Sequence, residues 1–358
     1  MHVFPDNLHL DFPFPVDWFV NKDVLIINVG APHIRSIDIV VNAVIKHPSI
    51  KSVFIYSPDE VADYNFLDAV DNILPKVFNI QNIVMCDSGV PVYRPNILHI
   101  PLSWFSHWRR RSDLEDTTQI RLYKFCCFNA IARSHRVKLV VEIIRNNLLE
   151  HGQVSCGWHH VNETFDFAKF VPPELMHYFP MSLDRVDSTE QLNYYNNAVI
   201  TAPLEMTNSV FNVISETSMD QYTYQDLCWS RGMITEKTIK AYAFCQFPIW
   251  LAVKGFVQYQ RELGFDVFDD IIDHSYDNLE HPSDRITLII KELKKIAELP
   301  METLNELLQV NWSRLQQNQN HIQQISDHIT QTSKLTLKNW LRYTDVPHPR
   351  LKGLKIKV

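Results

Sequence analysis

The chain has 358 residues, a net charge of -7, 46% apolar and 21% charged residues. That length exceeds one small core and predicts two lobes. The balance excludes a disordered chain and a wholesale nucleic-acid coat, while leaving room for a local basic patch.

The first residues, MHVFPDNLHLDFPFP, have neither a basic start nor a long apolar stretch, so no signal peptide is expected. No window reaches the roughly 18 apolar residues of a membrane helix. A cytoplasmic protein with no membrane span is expected (host cytoplasm if the chain is viral). Six scattered cysteines without a Cys-x-x-Cys pair agree with reduced thiols.

Val24 to Val29 (VLIINV) reads as a buried strand, followed by GAPH as its loop. Ser36 to Lys46 has helical spacing, Val53 to Tyr56 is a strand, and Ala62 to Val77 is helical. Ile83 to Cys86 and Ile97 to Ile100 are further strands. This alternation predicts a parallel sheet covered by helices on both faces. Trp104 to Thr118 breaks the rhythm with a polar, aromatic and basic linker.

A second α/β series starts at Leu122. Tyr123 to Phe128 is a strand and Ser134 to Leu149 a helix. Phe165 to Arg185 reads as an irregular insertion. Ala198 to Pro203 and Val210 to Glu216 read as strands, Thr235 to Cys245 as a helix capped by Thr235, and Pro248 to Val253 as a strand. From Asp284 the chain turns helical, with Leu304, Leu307, Leu308, Leu315, Ile322 and Ile325 as an amphipathic stripe.

Only eight glycines occur, and no two are spaced as in a dinucleotide fingerprint or a P-loop. Any phosphate must then be held by side-chain cations and helix N-termini. One place offers both: a strand ending in Ser215-Glu216-Thr217, then a helix opening with Thr235-Glu236-Lys237. A lysine in a first helical turn opposes the helix dipole, a cost that an anion would offset. From spacing alone, a capped helix with Lys237 in solvent is the stronger reading. A second strand-to-helix turn carries Asn129, Arg133 and Arg136. Either arginine suits a bidentate grip on phosphate, and Arg136 equally suits a solvated helix face.

Ser215-Glu216-Thr217-Ser218 followed by Ile234-Thr235-Glu236-Lys237-Thr238 resembles the donor motif of the α1,3-fucosyltransferases. It is also similar to glycosyltransferase-like proteins of bacteria and large phages. The resemblance covers the second lobe. It implies two Rossmann-like lobes of the GT-B type with C-terminal helices, and a UDP- or GDP-sugar donor as the only small-molecule requirement. It implies that Lys237 contacts the donor diphosphate, that Glu236 contacts sugar or ribose, and that Arg133 or Arg136 completes the clamp. Thr217 stands where that family has Asn, and the intervening loop is longer here. Both departures bear on sugar and base identity.

Three ranges follow: an acceptor lobe at 1–120, a donor lobe at 121–285 and a helical extension at 286–358. Trp104, Trp108, Arg109, Arg110 and Arg111 combine stacking rings with cations and are the acceptor-side candidates. The acceptor is a glycan, or a hydroxylated pyrimidine in DNA as in phage DNA modification. An inverting reaction would need a base at a first-lobe strand end, with His33, Asp59, Glu60 and Asp87 as candidates. No metal is expected to be required. Asp269, Asp270, Asp273, His274 and Asp277 form an acidic run that suits either a divalent cation or a solvated helix face and caps. The rival from another class is a non-catalytic binding subunit on a decayed transferase fold.

Overall fold

A computed structural model describes residues 24–29, 37–56, 64–87, 94–101, 120–157, 165–182, 207–216 and 234–342. These divide into two compact units. One holds the described residues up to 101 together with 325–342. The other holds 120–216 and 234–324.

In the first unit, β1 (Val24–Asn28), β2 (Ser52–Tyr56), β3 (Asn82–Asp87) and β4 (Ile97–Pro101) form a parallel sheet in sequential order. The strands read as unbroken apolar runs because both faces are buried. Leu25, Ile27, Val53, Ile55, Ile83 and Met85 face one way, onto α1 (Ile37–Ile45) and α2 (Tyr64–Phe78). Their neighbours Val24, Ile26, Phe54, Tyr56 and Val84 face the other way, onto Leu337, Trp340 and Leu341. That is the two-residue alternation of a strand expressed as two separate cores.

In the second unit, β5 (Tyr123–Asn129), β6 (Gly152–Cys156), β7 (Ser209–Ser215) and β8 (Phe247–Leu251) are also all parallel, but in the order β6-β5-β7-β8. Helix α3 (Ser134–Arg145) follows β5 and α4 (Glu236–Ala243) precedes β8. α3 stops short of the expected Leu149 because Asn147 turns into the left-handed region at φ 55, a conformation asparagine tolerates. Strand β6 and helix α5 (Phe256–Glu262) were not expected from the sequence. The expected strand at 198–203 lies outside the described residues.

The helical C-terminal part comprises α6 (Pro282–Glu298), α7 (Met301–Val310) and α8 (Trp312–Arg342). Of the expected stripe, Leu304, Leu308, Leu315 and Ile322 are buried, and Leu307 and Ile325 are half-buried. Within the second unit, the start of α8 is fixed by Arg314, which pairs with Asp266 at 2.7 Å and Asp270 at 2.8 Å. The chain is thus α/β with two parallel four-stranded sheets among the described residues. No described helix is long and apolar enough to cross a membrane.

Candidate functional site

The two sheets differ in a way that selects one of them. In a doubly wound sheet, ligands settle at the carboxyl ends of strands where the strand order reverses. Among the described strands the first sheet runs in sequence order and has no such point. The second has one between β5 and β7, since the chain leaves β5 for β6 on one side and later returns to β7 on the other. The β5–β7 ladder stops at Cys126↔Asn212. The ladders outside it continue to Asn129↔Cys156 and Ser215↔Leu251. Towards these carboxyl ends the paired register is carried by the outer ladders.

The residues at the carboxyl ends of β5 and β7 are ones the sequence nominated. Asn129 ends β5 and Ser215 ends β7, each 1% exposed. Asn129 Oδ1 and Ser215 Oγ have no hydrogen-bond partner among the described residues. Leaving such atoms buried and unsatisfied costs about 1–3 kcal/mol each.

Glu216 follows directly, buried, with its N–H donating to Leu251 O at 3.0 Å. Its carboxylate accepts from Thr235 Oγ1 at 2.6 Å, from Thr238 Oγ1 at 2.7 Å and from Thr235 N at 3.4 Å. Thr235 Oγ1 in turn accepts from Lys237 N and Lys237 Nζ, both at 3.3 Å. The cap expected at Thr235 is present, and an acidic strut locks the start of α4 to the end of β7. Part of the N–H supply expected to face a phosphate is thereby already engaged, which shifts anion holding towards side-chain cations.

Those cations gather at the start of α3. Arg133 is its N-cap and is exposed, and its first turn contains no acidic residue. Arg136 is 3% exposed and donates to Ile131 O at 3.0 Å and Glu216 O at 3.5 Å. Between them, His135 donates Nε2–H to Glu216 O at 3.0 Å. Burial pushes His135 down to about 3, and the charges of Arg136, Arg133 and Lys237 add to the effect while the Glu216 carbonyl opposes it. Three cations carried by two helix starts therefore act on one ring. Each cation at a helix N-terminus is unfavourable against the helix dipole. His135 itself was not singled out from the sequence. Its signal was its place within the Arg133–Arg136 turn.

Glu236 lies in the first turn of α4, and Asp87 closes β3 in the other unit. His33, Asp59, Glu60, Thr217, Trp104, Trp108, Arg109, Arg110 and Arg111 lie outside the described residues.

The acidic run is not a helix face. It is a turn ending in a 3-10 segment at His274–Asn278. Asp269 pairs with Arg261 at 2.6 Å and Asp270 with Arg314. Asp273 caps Ser275 N at 3.0 Å, and His274 bridges Tyr276 Oη and Val267 O at 2.8 Å each. Asp277, buried, accepts from Val257 N and Gln258 N at the start of α5. Each carboxylate of the run has a protein partner. Among the described residues no group of three His, Cys, Asp or Glu is arranged to hold a metal. Asp277→Ala should lower stability by about 1–2 kcal/mol, the cost of a lost helix cap, read as a urea midpoint. The same loss with and without added divalent cation identifies a cap. A loss that appears only with the cation present identifies a ligand.

No protein-family model matches the chain, and no curated protein or solved structure matches it.

Proposed function

We propose that the chain is a glycosyltransferase of the GT-B type, which moves a sugar from a UDP- or GDP-sugar to an acceptor hydroxyl. The carrying observation is the meeting of two helix starts at the end of β7: Arg136 donates to Glu216 O, Lys237 Nζ donates to Thr235 Oγ1, which donates to the Glu216 carboxylate, and Arg133 caps the same helix as Arg136. It is supported by the likeness of the Ser215–Ser218 and Ile234–Thr238 segments to the α1,3-fucosyltransferase donor motif.

In the reaction, the bond from the anomeric carbon to the diphosphate breaks and a bond to the acceptor oxygen forms. The nucleoside diphosphate leaves with the electron pair, and the hydroxyl proton passes to a base or to the departing diphosphate. Fixed cations at the departing oxygens favour the transition state because charge grows there. Exposed Arg133 and half-buried Lys237 make the contacts in this reading. Arg136, held by two carbonyls, contributes charge from below.

The acceptor is a glycan or a hydroxylated pyrimidine of DNA, met by the Trp104–Arg111 segment. DNA binding would weaken steeply with salt, and replacing Arg109, Arg110 and Arg111 together would flatten that slope.

A thermal-shift panel tests the donor half. Nucleoside diphosphates and their sugars should raise the melting temperature, since a ligand at a hundred times its dissociation constant adds about 2.7 kcal/mol. Nucleosides without phosphate should not. No shift with any diphosphate at millimolar concentration removes the reading. Binding without transfer to any acceptor makes the chain a binding subunit instead.

A further inference from the structure

Residues 316–324 of α8 read QQNQNHIQQ, a run without a Lys, Arg, Asp or Glu. Exposed helix faces ordinarily carry charged residues of good helix propensity, and asparagine in mid-helix is a poor choice. Docking within the second unit accounts for part of the run. Asn318, 3% exposed, donates to Asp266 O at 2.7 Å and accepts from Asp266 N at 2.9 Å. Gln319 donates to Ala243 O at 2.6 Å, and His321 donates to Leu263 O at 2.7 Å. The neighbouring amides are not used in this way. Gln317 and Asn320 are exposed and make no hydrogen bond among the described residues. Gln324 makes one long contact, with His321 Nδ1 at 3.4 Å.

These three amides line a groove of about 330 Å³, closed on its other side by Gly264 and Asp266. The volume is at the low end for small-molecule sites. Gly264 has a φ of 90, and a Cβ there would stand 2.9 Å from His321 Nε2, so the turn meets the ring with no side chain between them. We propose that this groove binds a neutral sugar residue. It lies towards the amino ends of the strands, because adjacent Gln319 holds Ala243 O, which closes α4 just before β8 begins. The inference therefore does not rest on the donor-site reading, which concerns the carboxyl ends.

The lining argues against other ligand classes. It contains no lysine or arginine, so a phosphate would find no cation. Its one carboxylate, Asp266, is held by Arg314 at 2.7 and 3.0 Å and by Phe268 N at 2.9 Å, so its charge is already answered. No apolar side chain lines the groove to receive a lipid or an aromatic ring. What remains is a neutral ligand rich in hydrogen bonds. A hydroxyl both donates and accepts, and a carboxamide offers two donors beside an acceptor oxygen. Gln317, Asn320 and Gln324 thus suit neighbouring hydroxyls of one sugar. An extended peptide would ask for a strand edge, and the walls here are a helix and a turn. Asn318 and Arg314 fix the floor before a ligand arrives, which limits the ordering cost of binding.

The test uses the full chain with free glucose, galactose, mannose and N-acetylglucosamine, each at about 50 mM, since a small neutral groove binds in the millimolar range. Saturation-transfer NMR reads binding. At least one sugar should show transfer, and Gln317→Ala/Asn320→Ala should weaken its binding at least about tenfold. The double variant should melt no lower than wild type, because alanine is the better helix former at both exposed positions. A lower melt with unchanged sugar binding makes the amides structural and overturns the inference. Lys237→Ala should bind the sugar as wild type does. Loss in Lys237→Ala but not in the double variant places the sugar at the donor site and also overturns it. Transfer to none of the four sugars does the same. So does binding of trialanine in place of a sugar, which makes the groove a peptide site. A dimer that the double variant converts to monomer makes it a contact between copies, and the inference fails there too.

Discussion

Lys237→Ala should lower transfer at least about a hundredfold and leave the fold as stable as before. The two halves of that expectation come from different terms. Lys237 is half-buried in the first turn of α4, with Nζ donating to Thr235 Oγ1 at 3.3 Å. A cation there works against the positive end of the helix, by about 0.3–1 kcal/mol. The cap at Thr235 is kept by the backbone N–H of Lys237, which the substitution does not touch. Truncation should therefore change stability by no more than about 0.5 kcal/mol, the range of ordinary surface substitutions. The transition state is another matter. Removing one fixed donor from a developing oxyanion costs about 2–4 kcal/mol, which is the hundredfold or more in turnover. Single-turnover rates beside a urea melt separate the two. Lys237→Arg should retain part of the rate, because the charge remains while its geometry changes. Near-normal turnover in Lys237→Ala removes Lys237 from the clamp, whatever the melt shows.

The sequence carried the local features of this site and missed its long-range ones. A strand that ends in Ser215-Glu216 and a helix that begins at Thr235 are visible because apolar runs and a threonine cap act over a few residues. Strand β6 was not visible. Its residues GQVSC offer only Val154 and Cys156 as buried apolar side chains, and its strand character comes from the ladder to β5. Helix α5 was hidden for a similar reason. Its cap is not in its own segment but at Asp277, about twenty residues downstream. The same distance concealed the work of Glu216, whose partners Thr235 and Thr238 lie 19 and 22 residues further along the chain. Arg133 and Arg136 looked equivalent because spacing does not reveal burial. The fold exposes the first and ties the second to Ile131 O and Glu216 O.

Glu216→Ala should be the most destabilising of these changes, by about 3–5 kcal/mol, because it removes the strut between β7 and α4. The carboxylate is buried and accepts three hydrogen bonds, two of them short. Bonds to a charged acceptor contribute about 1.5–3 kcal/mol each, and truncation leaves their donors buried without a partner. Breaking a buried charged contact from one side typically costs about 3–5 kcal/mol. The loss also propagates. Trp250 Nε1 donates to Thr238 Oγ1 at 3.1 Å, and Trp250 N donates to Tyr276 Oη at 3.1 Å. The indole therefore reports on the strut, and its emission should shift in the variant before global unfolding. Glu216→Gln gives a graded version. The amide keeps one acceptor oxygen and loses the other, so one threonine hydroxyl must turn away, for about 1–3 kcal/mol. Pyrophosphate affinity is the discriminating companion. A strut carries a negative charge next to the anion site, so Glu216→Gln should leave pyrophosphate binding unchanged or slightly tighter. Full stability in Glu216→Gln, together with lost affinity for the nucleotide sugar but not for pyrophosphate, would instead make Glu216 a contact to ribose or sugar. The urea midpoint and the two binding constants, measured on one preparation, decide between them.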